Sequence, residues 1–255
     1  MIRIVKSSEP KELRDYRENP SENEEKPSYK QMSSIPSGHV DRSTGASINL
    51  HDYVLSKLVE DQGSLCAYCM CKIPEIDRRT GRELKYTIEH IEPQSVTRNT
   101  PNWKKEIEYS NFLAVCSGNE GHGQKSLCCD KARGNRELFL SPLDPDCNHL
   151  IEYSSSGTIK AAATIPDEDR RNKIDDELNK VLNLNVGKDL KAKRKNVLDG
   201  MIASLQKERR DQNIDICRQK LDELESTRNP KPEYVGILIF WLKKHIMSLE
   251  NRARN

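Results

Sequence analysis

Between Cys66 and Gly134 the chain sets out, in fixed order, Cys66-Ala67-Tyr68-Cys69, Ile88-Glu89-His90-Ile91-Glu92-Pro93, Asn111-Phe112-Leu113-Ala114-Val115-Cys116 and Cys128-Cys129-Asp130-Lys131-Ala132-Arg133-Gly134. This order limits what the chain can fold into, because thiols this far apart in sequence are useful only if the chain folds back on itself. A Cys-x2-Cys pair at a turn aims two sulfurs at one ion, and a structural zinc site needs four tetrahedral ligands. Cys66 and Cys69 supply the first pair, and Cys116 and Cys129 are chosen as the second. Cys128, Cys71 and His122 are the alternatives, and Cys147 and Cys217 read as ordinary buried cysteines. Only 35% of the residues are hydrophobic, so a small core gains from metal binding that is part of its folding free energy.

Metal binding is preferred to disulfides because nothing in the chain points to export. Met1-Ile2-Arg3-Ile4-Val5-Lys6 is too short and too charged for a signal peptide, and the apolar run Ile237–Leu242 is far short of a membrane span. A cytoplasmic chain with no membrane contact is expected, where cysteines stay reduced. With 42 Lys+Arg against 40 Asp+Glu, any nucleic-acid surface must be local rather than general.

The residues between the thiols carry a second chemistry. Tyr86–Ile91 reads as a short strand ended by Pro93, with Asn111–Val115 as its return strand. Adjacent strand residues point to opposite faces, so Glu89 is expected to bind a metal while His90 faces a substrate phosphate. A neutral histidine can take a proton from water near pH 7. Asp130, at the expected start of a helix, is the second carboxylate for a hard Mg²⁺ or Mn²⁺. Asn111 is expected to bridge backbone groups and steady the His90 loop. Arg133, ahead of Lys125 and Lys131, is expected to contact phosphate.

Composition divides the rest. Residues 1–45 are rich in charge and proline and are expected to form a flexible arm with one helical turn near Pro10–Arg17. Residues 46–165 hold the metal and catalytic motifs. They open on a helix from Ile48 to Gln62 and close on a hairpin around Ser154–Gly157. Residues 166–255 carry helical apolar spacing, ending in a helix from Val235 to Leu249 that is either core or a docking element. Lys191–Lys220 holds nine basic and four acidic residues, and Lys193, Arg194 and Lys195 are its candidate phosphate contacts.

The order Cys-x2-Cys, Glu-His-Ile-x-Pro, Asn-Phe-Leu-x-x-Cys, Cys-Asp-x-x-Arg-Gly resembles the HNH nucleases of the ββα-metal fold, with His90, Asn111 and Asp130 at the three named positions. More narrowly it resembles the PtuB-type nuclease subunits of Septu antiphage systems. The Met-Ile-x-Ile-x-Lys start and Ser141-Pro142-Leu143-Asp144-Pro145 also match. Glu89 stands where many HNH enzymes have Asp, and Asp130 where many have Asn or His. A stretch from Ser117 to Leu127 is inserted before the last cysteines.

The resemblance implies an α+β fold, with a small zinc-stapled ββα-metal core, flanking helices and a C-terminal helical region. It implies catalytic His90, Glu89, Asn111, Asp130 and Arg133, structural Zn²⁺ on Cys66, Cys69, Cys116 and Cys129, and catalytic Mg²⁺ or Mn²⁺ on Glu89 and Asp130. The partners it implies are a nucleic acid substrate, a PtuA-type ABC ATPase and a retron RNA–DNA hybrid. The alternative is a zinc-ribbon adaptor without catalysis, which would need the thiols but not Glu89, His90 or Asp130.

Overall fold

Leu50, Val54, Leu55 and Leu58 recur at helical spacing, and in the structure they bury one face of a helix whose start is capped by the Asn49 side chain accepting from Asp52 N–H. The structure is a computed structural model that describes residues 1–19, 26–41, 44–76, 81–98, 100–121, 123–186 and 189–254. Up to the site the elements are α1 (Lys11–Glu18), β1 (Pro36–Val40), β2 (Ser47–Asn49), α2 (Leu50–Asp61), β3 (Glu75–Ile76), β4 (Glu83–Leu84), β5 (Tyr86–His90), α3 (Gln94–Thr97), β6 (Phe112–Cys116) and α4 (Asp130–Arg133). Beyond it come α5 (Cys147–Leu150), β7 (Ile151–Tyr153), β8 (Ile159–Ala161), α6 (Glu168–Asp176), α7 (Leu190–Gln206), α8 (Ile214–Ser226) and α9 (Val235–Arg254). Helices and short antiparallel hairpins together make a mixed fold compatible with the α+β class.

The strand pair at the centre is β5 against β6, in register from Tyr86 opposite Cys116 to His90 opposite Phe112. All of β6 is buried, so it reads as a continuous apolar run rather than an alternating one. Gln62, at the end of α2, fastens this hairpin to the first cysteine loop. Its Nε2 donates to Leu65 O and Ala114 O at 2.8 Å each, and its Oε1 accepts from Ala114 N–H.

The amino-terminal segment differs from the expected arm. Charge and proline masked its few apolar residues, yet Met1, Ile4, Leu13 and Met32 are all buried in the core. Lys6 Nζ donates to Tyr109 O and Phe112 O, and Arg17 NH1 donates to Ile107 O at 3.2 Å. Between them these two cations bind the backbone on both sides of Asn111.

The carboxy-terminal helices are part of the same hydrophobic cluster. α9 buries Val235, Ile237, Leu238, Leu242 and Ile246, so its apolar half is spent on the core. Its approach is tied to the cysteine loop: Lys231 N–H donates to Gly63 O, Tyr234 N–H to Met70 O, and Lys72 N–H to Glu233 Oε1, each at 2.9 Å. The β7–β8 turn packs so closely on α7 that a Cβ on Gly157, at φ +84°, would lie 2.1 Å from Lys191 O. Arg194 is buried there, donating to Gly157 O and Leu184 O, and is no phosphate contact. Lys193 faces Glu75 at 3.9 Å and Lys195 pairs with Asp199, so both already have an acidic neighbour. No helix of the described residues is long and apolar enough to cross a membrane.

Candidate active site and metal centre

Four cysteines from three parts of the chain meet in the core. Cys66 and Cys69 come from the turn after α2, Cys116 ends β6, and Cys129 precedes α4. The turn is closed by Cys66 N–H to Cys71 O and Met70 N–H to Cys66 O. Sγ–Sγ separations are 3.8 Å for Cys66–Cys129, Cys69–Cys116 and Cys116–Cys129, and all four sulfurs lie within 4.8 Å of one another. A tetrahedron with Zn–S bonds of about 2.3 Å places its sulfurs about 3.8 Å apart, so the cage has the size of a zinc site. These four cysteines could hold a metal such as zinc. Cys71 and Cys128 are buried outside the set of four, and His122 lies outside the described residues.

Cys129 holds φ +57°, a region costly for a residue with a side chain. Backbone from the carboxy-terminal region braces it, with Cys129 N–H donating to Leu182 O at 2.9 Å. The next residue is Asp130, which lines a cavity of about 530 Å³ together with Glu89 and His90. Thus one peptide bond joins the thiol cage to this cavity.

The cavity wraps the end of β5 and is lined by four consecutive residues, Thr87 to His90, so Glu89 and His90 both border it. Glu89 is 8% exposed, and burial, with the Asp130 charge beside it, pushes its carboxyl up to about 8. Two carboxylates at one buried site repel, and a divalent cation is what their donor set suits. The fit to a hard ion therefore rests on these oxygens.

His90 is 5% exposed and burial pulls it down to about 4, which leaves the imidazole neutral. Its Nε2 lies 2.9 Å from Glu106 O. A carbonyl only accepts, so Nε2 carries the proton and Nδ1 is the unprotonated nitrogen. Gln94 Nε2 stands 3.2 Å from that Nδ1, and the rings of Tyr29 and Phe112 meet the imidazole edge-on. Asn111 accepts from Glu92 N–H at 2.7 Å and donates to Glu92 O and Lys105 O. It ties together the loop that follows His90.

Arg133 corrects the sequence reading. It is 2% exposed, and its guanidinium donates to Glu89 Oε1, His90 O, Ile91 O, Arg136 O and Tyr68 Oη. Each of its nitrogens donates inside the protein and the side chain is fully enclosed, so it is not exposed to a phosphate. Sequence reasoning also missed Tyr29, Gln94, Arg98 and Glu106. Tyr29 was hidden in the segment read as an arm. Gln94 and Arg98 fall four and eight residues after His90, a spacing that a helix beginning at Pro93 would have made visible.

No family model matches the chain. The chain is similar to a Vibrio cholerae (serotype O1, biovar El Tor) protein described as "Retron Vc95 putative HNH endonuclease", 30% identical over 115 residues. The match covers 43% of this chain and 50% of that relative, so the chain spans about half the length of the protein it resembles. The similarity is to part of a protein described as an HNH endonuclease, and it covers neither chain in full.

Proposed function

We propose that the chain is a metal-dependent endonuclease of the ββα-metal type that hydrolyses phosphodiester bonds in nucleic acid, with DNA favoured over RNA. The observation that carries this reading is the meeting of Glu89, His90 and Asp130 in one cavity, joined by one peptide bond to the thiol cage. An adaptor needs the cage but not the cavity. In this reading β5, β6 and α4 are the ββα unit, Zn²⁺ on Cys66, Cys69, Cys116 and Cys129 holds it together, and Mg²⁺ or Mn²⁺ sits on Glu89 and Asp130.

The chain's own residues divide the chemistry. Glu106 O holds the proton on Nε2, so Nδ1 is the base once its contact with Gln94 Nε2 gives way to water. Nδ1 accepts a proton from water as the water oxygen bonds to phosphorus. The P–O3′ bond breaks, leaving a 5′-phosphate, and the 3′-oxygen takes a proton from solvent. Glu89 and Asp130 would hold a divalent ion, which would supply positive charge for the leaving oxygen. Arg133 and Tyr68 orient Glu89, and Asn111 keeps the loop behind His90 in place.

The resemblance to the PtuB-type subunits and to a retron-associated relative supports a role as the effector of an antiphage complex. Its partners there would be an ABC-type ATPase and a retron RNA–DNA hybrid. The test is cleavage of plasmid DNA and total RNA by the zinc-loaded chain with and without Mn²⁺, alone and coexpressed with the ATPase. Metal-dependent cutting that is lost in Glu89→Ala and His90→Ala is expected. Folded, zinc-loaded protein that never cuts would shift the assignment to an adaptor.

A further inference from the structure

With Arg133 consumed internally, the cavity needs another cation if it is to hold a phosphate, and two line its wall: Arg98 and Lys131. They are held differently. Lys131 Nζ lies 3.4 Å from Glu120 Oε2, a carboxylate largely in solvent. Arg98 Nε lies 3.9 Å from Glu106 Oε1, and the Glu106 side chain is only 5% exposed while that of Arg98 is half exposed. At that distance the contact is Coulombic, not a hydrogen bond. Glu106 Oε1 has no hydrogen-bond partner among the described residues. A buried unpaired acceptor is costly, and here the cost is offset by the nearby Arg98 charge.

Glu106 occupies a particular position. Its backbone oxygen fixes His90 Nε2, and its carboxylate faces Arg98. α3 carries Gln94 on His90 Nδ1, and Arg98 continues the helical backbone one turn later at φ −55° and ψ −41°. Residues four apart share a helix face and rise about 6 Å. Gln94 and Arg98 therefore share a helix face, and both line the cavity with His90. A planar guanidinium can take two phosphate oxygens at once.

We propose that Arg98, tethered by the buried Glu106 carboxylate, is the cation that binds the scissile phosphate in this cavity, with Glu106 as its positioning residue. The inference rests on the nuclease reading but is tested separately. Binding of a short fluorescein-labelled DNA duplex, and of RNA of the same sequence, is followed by anisotropy across a salt series with the full zinc-loaded chain. Arg98→Ala is expected to weaken binding about tenfold or more and to lower the log–log salt slope by about one, and Arg98→Lys to recover part of the affinity. Glu106→Gln is expected to raise KM with kcat little changed and with melting temperature unmoved, a split that a merely structural residue would not give. If Arg98→Ala loses its zinc, Arg98→Gln takes its place.

The outcomes separate. Arg98→Ala that binds and cuts as wild type, beside an inactive His90→Ala, leaves the nuclease standing and overturns the phosphate contact. Wild type that binds but never cuts, with binding lost in Arg98→Ala, overturns the nuclease and keeps the phosphate site. No binding by wild type overturns both.

Discussion

Arg133 has no surface left for a substrate because its guanidinium already binds the Glu89 carboxylate and three backbone carbonyls behind the cavity. Removing one partner of a buried pair leaves the other charge uncompensated, so Arg133→Ala should lower stability by about 3–5 kcal/mol in urea denaturation. Arg98→Ala, half exposed, should leave the denaturation midpoint close to wild type. Lys6 gives a pH signature. Burial pulls its ammonium from 10.5 down to about 7. Between those values the unfolded chain binds more protons than the folded one, so Lys6 makes stability rise with pH from about 7 to 10, by at most about 1.4 kcal/mol per pH unit. Denaturation midpoints at pH 7, 8 and 9 check this, and Lys6→Met should lose that part of the rise. That Glu89, His90 and Asp130 border one cavity was legible in their order and spacing. The fates of Arg133 and Arg194 were not, since a sequence shows that an arginine is charged but not which carbonyls will surround it.

At the scale of elements, the cage links β6 to α4 and to the turn after α2. The four-residue α4 is far too short to persist without support, so the bond at Cys129 must hold it. Cys129→Ser should lose the bound zinc, measured as metal per chain, while Cys128→Ser should keep it. Stripping zinc with a chelator should abolish cleavage and lower the unfolding temperature together. α2 was readable from its helical apolar spacing, and β5, β6 and the β7–β8 hairpin from short apolar and β-branched runs bounded by turn residues. The packing of residues 1–19 was not. Its segment holds only scattered apolar residues, and the hydrogen bonds from Lys6 and Arg17 that seat it depend on carbonyls about a hundred residues away.

At the scale of the whole molecule, one hydrophobic cluster runs from Met1 to Ile246. Loss of an apolar side chain far from the cavity should therefore be felt throughout. Leu242→Ala should cost about 2–5 kcal/mol, read as a shift of a single cooperative unfolding transition by circular dichroism. Two separated transitions would argue that α7 to α9 fold as a unit of their own. Sequence alone left α9 undecided between core and docking, because an apolar helix says that something covers it and not what. The bonds from Lys231, Tyr234 and Glu233 to the first cysteine loop also set a timetable for synthesis on the ribosome. The last thiol, Cys129, is made 105 residues before Tyr234. At about 5–20 residues per second, the nascent sulfurs wait on the order of ten seconds before their cover is translated. Zinc can enter freely in that interval, and so can an oxidant. A cell in which metal is scarce or peroxide abundant during that interval would complete the polypeptide with its thiols wrongly paired, and no later supply of zinc would reach them.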